Sequence, residues 1–336
     1  MAIKVAVNGF GRIGKLVVRA AFERGFVGKK FDIVAINDPH DLNLSAHLFR
    51  YDSTQGKFTG PVKAGEGRLS IDGHEIAITA DRDPANLPWK KLGVDLVLEC
   101  TGAFTDRAGS GKHIAAGAKK VLISAPCKGG EADATIVLGV NDKVYDKSKH
   151  NIVSIGSCTT NCLAPVAKVL DDSFGIESGF MTTVHAYTND QLILDAHHKD
   201  YRRARAGAIN IIPTTTGAAK AIGDVIPRIK GKLNGLSLRV PIPVGSMNDL
   251  SCSLAKAATK EEINAALEAA AKGPMKGILE YSTEPLVSSD IVHMQASSIV
   301  DSSLTMSIGK TSKVLSWYDN EWGFSNRMVE MAAKMF

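Results

Sequence analysis

The chain has 336 residues, a net charge of +5, 44% hydrophobic residues and 22% charged residues. That length exceeds what one hydrophobic core usually organises and predicts two domains of roughly 150 residues each; the average composition excludes a disordered or fibrous architecture. No apolar run approaches the roughly 18 residues of a membrane span, and the modest positive charge suits small anionic ligands without implying nucleic acid or a membrane as partner.

The segment from Met1 to Phe10 alternates apolar and polar residues and reaches a glycine turn at once, so it reads as a first strand and not as a secretory leader. The β-branched run Ile3 to Val7 leads into Asn8-Gly9-Phe10-Gly11-Arg12-Ile13-Gly14, and a helical stretch follows from Lys15 to Arg24. This is a GxGxxG turn between strand and helix. Gly9 permits the tight turn, Gly11 lets backbone approach a pyrophosphate, and Gly14 lets helix pack closely on strand. A second strand, Asp32 to Ile36, ends in Asn37-Asp38. A carboxylate there accepts from a ribose 2′-hydroxyl and repels a 2′-phosphate, which favours NAD over NADP.

Further strands are predicted at Asp95 to Glu99, Lys120 to Ser124 and Thr135 to Val140, with a helix around Lys112 to Ala118. Such alternation implies a doubly wound parallel sheet of Rossmann type. Thr101-Gly102 and Ser124-Ala125-Pro126 end two of these strands, at the edge where open α/β sheets bind ligands. Cys100 and Cys127 read as packed residues.

Asn151 to Ile155 reads as the last strand of that sheet, and Gly156-Ser157-Cys158-Thr159-Thr160-Asn161-Cys162 follows before an apolar stretch through Leu170. Cys158 then sits where a helix begins, where backbone N–H groups and the helix dipole favour a thiolate. Cys162, one turn on, reads as structural, and two cysteines at i, i+4 without companion ligands make no metal site. Pro165 predicts a kink or a late helix start. The five cysteines, Cys252 included, form no CxxC pair, which fits a reducing, cytoplasmic setting.

A nucleophilic thiol needs a base. His185, at the end of the β-branched strand in Met181-Thr182-Thr183-Val184-His185-Ala186-Tyr187-Thr188, is the candidate, because imidazole titrates near neutrality. His74, His113, His150, His197, His198 and His293 lie in polar surroundings that predict exposure; His40 and His47 fall in the cofactor half without an evident role. Thr259 to Lys272 is an amphipathic helix with a Thr259/Glu262 capping box, and Ser325 to Phe336 reads as a terminal helix. The basic stretch around Lys199 to Arg205 lies in a poorly periodic segment, Asn189 to Pro213, and reads as a solvated face more than a nucleic-acid loop.

The glycine turn, Ser157-Cys158-Thr159-Thr160-Asn161-Cys162, His185-Ala186-Tyr187-Thr188 and Trp317-Tyr318-Asp319-Asn320-Glu321 together resemble the phosphorying glyceraldehyde-3-phosphate dehydrogenases of bacterial, NAD-dependent type, in order and spacing along essentially the whole chain. The resemblance implies a Rossmann domain over 1–157, joined by a C-terminal helix at 322–336, and an α+β catalytic domain with a mixed or antiparallel sheet over 158–321. It implies Cys158 as nucleophile and His185 as base. It also implies that Thr188 and Arg239 hold the substrate phosphate, that Thr159, Thr216 and Gly217 hold the attacking inorganic phosphate, that Arg203 and Ser157 are further substrate- or phosphate-binding residues, and that Gly9, Gly11, Arg12, Ile13, Gly14, Asp38, Arg82, Ser124 and Asn320 contact NAD. Glyceraldehyde 3-phosphate as substrate and a homotetramer in which the 189–213 loop meets a neighbouring subunit's cofactor site are further implications. An erythrose-4-phosphate dehydrogenase, which releases an acid by hydrolysis, is the nearest alternative, and a binding or adhesion role is one of another class. Three departures from the family's common pattern stand out. Ile155-Gly156 replaces Asn-Ala before the cysteine motif, where a small residue preserves the turn. Ala196-His197 replaces Leu-Pro in the loop, which leaves NADP open. Gly245-Ser246-Met247-Asn248 replaces an apolar run, a change to which the sequence assigns no consequence.

Overall fold

A computed structural model describes residues 2–127 and 132–336. The chain divides into two compact units, the first made of Met1–Ile136, Lys143–Gly156 and Ser325–Phe336, the second of Val137–Asp142 and Ser157–Phe324.

In the first unit, strand β1 (Ile3–Asn8), helix α1 (Arg12–Glu23) and β2 (Phe31–Asn37) form the expected βαβ unit. Helix α2 (Leu42–Arg50) follows, with a small hairpin of β3 (Tyr51–Asp52) and β4 (Gly56–Lys57). Next come β5 (Val62–Gly65), β6 (Arg68–Ile71), β7 (His74–Thr79), α3 (Trp89–Leu92), β8 (Leu96–Glu99), α4 (Arg107–Ala115), β9 (Lys120–Ile123), β10 (Ala134–Thr135) and β11 (Ile152–Ser154). The sheet order is β10-β11-β9-β8-β1-β2-β7-β6-β5. Strands from β10 to β7 run parallel, and β6 alone runs the opposite way, pairing antiparallel with both β7 and β5. The central strands β8 and β9 are buried along their whole length, as their unbroken apolar runs require in a sheet covered on both faces.

Three local expectations need correction. The strand expected from Thr135 to Val140 stops at Thr135. Beyond it Asn141 Oδ1 takes the Val137 N–H at 2.7 Å and Asp142 Oδ1 takes that of Gly139 at 3.1 Å, so side chains capture the donors a sheet ladder would use. The helix expected at Lys112 to Ala118 starts earlier, because Asp106 caps it by accepting from Gly109 N. His113, expected at the surface, is fully buried.

The second unit is built on α5 (Cys158–Phe174), β12 (Ile176–Ala186), β13 (Ile212–Thr215), α6 (Ala218–Val225), β14 (Leu233–Val240), β15 (Ser246–Leu254), α7 (Lys260–Lys272), β16 (Leu279–Ser282), β17 (Ser298–Asp301), β18 (Met306–Ile308) and β19 (Thr311–Tyr318). Its mixed sheet runs β13-β14-β12-β15-β19-β17-β16, with β12 parallel to β14 and antiparallel to β15. Leu163, Ala167 and Leu170 of α5, Ile222 of α6 and Ile263 and Leu267 of α7 join Met181, Leu250 and Val314 of the sheet in one core. Each such aliphatic side chain contributes about 1.5–3 kcal/mol on burial. Pro165 neither delays α5 nor ends it: the helix starts at Cys158 and continues to Phe174. Its buried face outweighs the roughly 3 kcal/mol an interior proline costs. The capping box of α7 is present, and the final helix α8 (Trp322–Lys334) begins where the resemblance places it, three residues before the start read from the residues alone.

Candidate functional site

In the first unit, β8 and β1 are neighbours while β2 lies on the other side of β1, so the chain's direction of travel across the sheet reverses at this pair. Ligands of open α/β sheets bind at the carboxyl ends of strands at such a point. Gly9, Asp38, Thr101 and Ser124 follow the ends of β1, β2, β8 and β9, four strands adjacent in the sheet. The three glycines differ in what they permit. Gly9 has φ +91°, a conformation that side chains resist. A Cβ on Gly14 would stand 2.0 Å from the Gly9 carbonyl oxygen, whereas one on Gly11 would meet nothing within 4 Å. Open space over Gly11, at the N-terminus of α1, fits a group brought close to backbone N–H donors, as a pyrophosphate would be.

Arg12 opens α1 and pairs with Asp52 and Thr54; Ile13 beside it is partly exposed. Asp38 is buried, with Oδ2 accepting from Ser45 Oγ at 2.5 Å and Oδ1 facing His40 Nδ1 at 2.6 Å. His40, left without a role by the sequence, is therefore part of the acid's environment. Arg82 is exposed, and Ser124 donates its backbone N–H to Glu99 O at 3.0 Å.

Beneath the turn lies a polar network that sequence reasoning missed. Glu99, fully buried, accepts from Asn8 Nδ2 at 2.6 Å, from the Thr101 N–H at 2.8 Å and from the Thr101 hydroxyl. His113 Nε2 lies 3.0 Å from the same carboxylate, and Trp89 Nε1 donates to His113 Nδ1 at 2.9 Å. Because that bond makes Nδ1 an acceptor, the His113 proton sits on Nε2 and points at Glu99. Glu99 thus ties the end of β1 to the end of β8. Its isolated position at a strand end gave no periodic signal.

In the second unit, α5 begins at Cys158 because Ser157 caps it, its Oγ accepting from Thr160 N at 3.0 Å. Along β12 the alternation buries Met181, Thr183 and His185 on one face and exposes Phe180 on the other. His185 Nε2 reaches Cys158 Sγ at 3.5 Å. Pairing of β12 with β14 sets His185 directly against Arg239. The Ala186 carbonyl then lies 2.7 Å from His185 Nδ1 and accepts from Arg239 Nη1 at 3.1 Å. Arg239 Nη1, which can only donate, also lies 2.8 Å from Nδ1, so Nδ1 faces an acceptor and a donor that favour opposite tautomers of the imidazole.

Electrostatics revise the sequence expectation. Burial first, then the Arg239 charge, push His185 down to about 3, so the imidazole is unprotonated at neutral pH and does not titrate there. Burial pushes the Cys158 thiol up while Arg239 pulls it down.

Around the pair, Tyr318 presents its ring edgewise to His185, with centroids 5.9 Å apart. Its hydroxyl bonds Thr159 Oγ1 at 2.9 Å and Thr183 Oγ1 at 2.8 Å. Thr159's hydroxyl is therefore turned to Tyr318. Thr188 Oγ1 lies 3.5 Å from Arg239 Nη1. Arg203 pairs with Asp190 and donates to Thr214 Oγ1 at 2.9 Å, yet its charge still reaches His185. Gly217 caps α6 with open space above it, and Thr216 Oγ1 accepts from Ala218 N at 3.2 Å. Cys162, fully buried, bonds Ser316 Oγ at 3.2 Å and Ser298 Oγ at 3.6 Å, away from the reactive pair. Ser246 Oγ accepts from Ala186 N at 3.1 Å and donates to Asn320 Oδ1 at 2.9 Å.

Comparison with known proteins agrees with both halves. The family model for the glyceraldehyde 3-phosphate dehydrogenase NAD binding domain matches residues 3–107, and that for the C-terminal domain matches residues 157–320. Glyceraldehyde-3-phosphate dehydrogenase 1 of Bacillus subtilis is 56% identical over 334 residues, which cover 99% of this chain and 98% of the relative. The Geobacillus stearothermophilus glyceraldehyde-3-phosphate dehydrogenase is likewise 56% identical over 334 residues, with the same coverage. Glyceraldehyde-3-phosphate dehydrogenase 2 of Streptomyces avermitilis is 54% identical over 332 residues, 98% of each chain. The chain belongs to the glyceraldehyde-3-phosphate dehydrogenase family and is an NAD-dependent oxidoreductase acting on an aldehyde group.

Proposed function

We propose that this chain oxidises glyceraldehyde 3-phosphate to 1,3-bisphosphoglycerate, with NAD as cofactor and inorganic phosphate as acyl acceptor, through a thioester on Cys158. The observation that carries this reading is the Cys158 Sγ to His185 Nε2 contact at 3.5 Å. Residues 1–157 with the returning helix 322–336 act as the cofactor domain and 158–321 as the catalytic domain.

As the aldehyde carbon is attacked, the Cys158 sulfur forms the C–S bond and its proton passes to His185 Nε2. The Cys158 backbone N–H, at the helix start, stabilises the oxygen that gains charge. NAD, when bound, supplies the hydride acceptor that takes two electrons from this carbon and leaves a thioester. His185 first returns its proton to that oxygen, giving the hydroxyl, and takes it back as the hydride leaves. A phosphate oxygen then attacks the thioester carbon, the C–S bond breaks, and the sulfur leaves as thiolate to regain a proton.

Arg239 and Thr188 hold the substrate phosphate, with Arg203 in support; Ser157, Thr159, Thr216 and Gly217 serve the attacking phosphate. A dianion bound at Arg239 cancels the charge that lowers His185, so substrate binding itself makes His185 a stronger base. The Gly9, Gly11, Gly14 turn with Arg12 and Ile13 fits the cofactor phosphates; Asp38, Arg82, Ser124 and Asn320 complete that set. The buried Asp38 carboxylate favours NAD over NADP.

Ile193, Leu194, Tyr201 and Ile209 are largely exposed along the 189–213 segment, which supports burial against another subunit in a homotetramer. No helix among the described residues is long and apolar enough to cross a membrane, and five unpaired cysteines suit a reducing cytoplasm. Initial rates of NAD reduction with glyceraldehyde 3-phosphate, with and without inorganic phosphate, test this function. Sustained turnover only with phosphate supports it; equal turnover without phosphate moves the assignment to a hydrolysing enzyme such as an erythrose-4-phosphate dehydrogenase.

A further inference from the structure

We infer that Ser246 is a positioning residue that fixes the side-chain amide of Asn320 with its NH2 group outward, as a hydrogen-bond donor to the nicotinamide end of NAD. This rests on the reading that Asn320 contacts the cofactor. The sequence assigned the Gly245-Ser246-Met247-Asn248 departure no consequence, and the structure gives its serine a definite place. Ser246 is fully buried at the start of β15. A hydroxyl has one proton to donate. Since the Ala186 N–H already donates to Ser246 Oγ at 3.1 Å, the hydroxyl serves that bond as acceptor, and its proton goes to Asn320 Oδ1 at 2.9 Å.

Two consequences follow for the amide. With Oδ1 held inward, Nδ2 is the atom left to face a ligand, and among the described residues no group accepts from it. An amide turned by half a rotation would offer an acceptor instead and would leave the Ser246 proton without this partner, at the cost of an unmet buried donor. The same serine also fixes Ala186, whose carbonyl lies 2.7 Å from His185 Nδ1. One hydroxyl therefore links the group that holds the base to the group that would hold the cofactor's carboxamide.

The test is calorimetric binding of NAD and of ADP-ribose, which lacks nicotinamide, to the full chain freed of cofactor. Ser246→Ala, Asn320→Ala and the double variant are compared with the unsubstituted chain. Losing the constraint on one donor weakens NAD binding about tenfold. The inference predicts that loss for Ser246→Ala, unchanged ADP-ribose affinity, and no further loss when Ser246→Ala is added to Asn320→Ala. It is overturned if Asn320→Ala weakens NAD while Ser246→Ala does not, if the two losses add in full, or if ADP-ribose weakens as much as NAD. If Asn320→Ala leaves NAD binding unchanged, the reading of Asn320 itself has failed and the inference falls with it. Ser246→Cys, which keeps the volume and weakens the donor, carries the same comparison should Ser246→Ala not fold.

Discussion

Substitution by alanine at Gly11 and at Gly14 separates cofactor contact from fold. At Gly14 the added methyl would lie 2.0 Å from the Gly9 carbonyl oxygen and 3.5 Å from Cys100 Cβ. Backbone must move by more than an ångström to admit it, so the cost lies at the upper end of overpacking, about 3 kcal/mol. For a unit of this size that lowers the unfolding midpoint by about 6–12 °C. At Gly11 the methyl meets nothing within 4 Å, and φ is −77°. Alanine is a poorer N-cap than glycine but lowers unfolded-chain entropy, two effects of about 0.5–1 kcal/mol that nearly cancel. Gly11→Ala therefore leaves the melting temperature within about 3 °C. Its methyl fills the space through which a pyrophosphate reaches the α1 N–H groups, so NAD affinity falls roughly 10- to 100-fold. Thermal unfolding without cofactor, paired with calorimetric titration of NAD, reads both quantities. Wild-type NAD affinity in a stable Gly11→Ala protein would refute the reasoning.

Other substitutions probe the second unit. His185→Asn should lower turnover by about 10²–10⁴-fold, the usual worth of a positioned base, while NAD binding measured by fluorescence quenching stays within twofold. Stability should also depend on acid through His185. The native imidazole is held down to about 3 while the unfolded one takes a proton below about 6.5, so stability is complete above that pH and falls as pH drops toward 3, by at most 4–5 kcal/mol or so. Urea unfolding at pH 7.5 and pH 5 should show this loss in wild type and a smaller one in His185→Asn; equal losses would mean that other groups carry it. Cys162→Ala should cost on the order of 1 kcal/mol in urea unfolding through its lost contacts with Ser298 and Ser316, with turnover near wild type. Glu99→Gln should raise the KM for NAD several-fold with little change in kcat, since it loosens Asn8 and Thr101 beneath the cofactor turn. A kcat loss without a KM change would assign Glu99 elsewhere.

Local chemistry made much of this legible in the sequence. The glycine turn, the β-α alternation and the α7 capping box each depend on neighbours a few residues apart, so β1, α1, β2, β8, β9 and α7 lie close to where the sequence places them. Cys158 at a helix start followed from the strand before it and the apolar stretch after it, and Ser157 caps that helix. What was hidden depends on partners far along the chain. Glu99 and His113 read as a strand end and an exposed histidine until β8 and α4 bring them together with Asn8 and Trp89. Ser246 meets Asn320 across 74 positions. The depressed imidazole of His185 follows from burial and from the strand register that sets Arg239 against it, neither of which a short motif contains. The false strand after Thr135 failed for a short-range reason instead, two side-chain acceptors at Asn141 and Asp142 outbidding the sheet.

The most direct test of the Cys158 thioester is a rapid-mixing experiment on the NAD-loaded chain with glyceraldehyde 3-phosphate and no inorganic phosphate, followed by intact-mass and peptide mass spectrometry. The account predicts a burst of one NADH per site and a phosphoglyceroyl adduct on Cys158, discharged as acyl phosphate once phosphate is added. A burst without an adduct on Cys158, or an adduct in a Cys158→Ser protein, would contradict it.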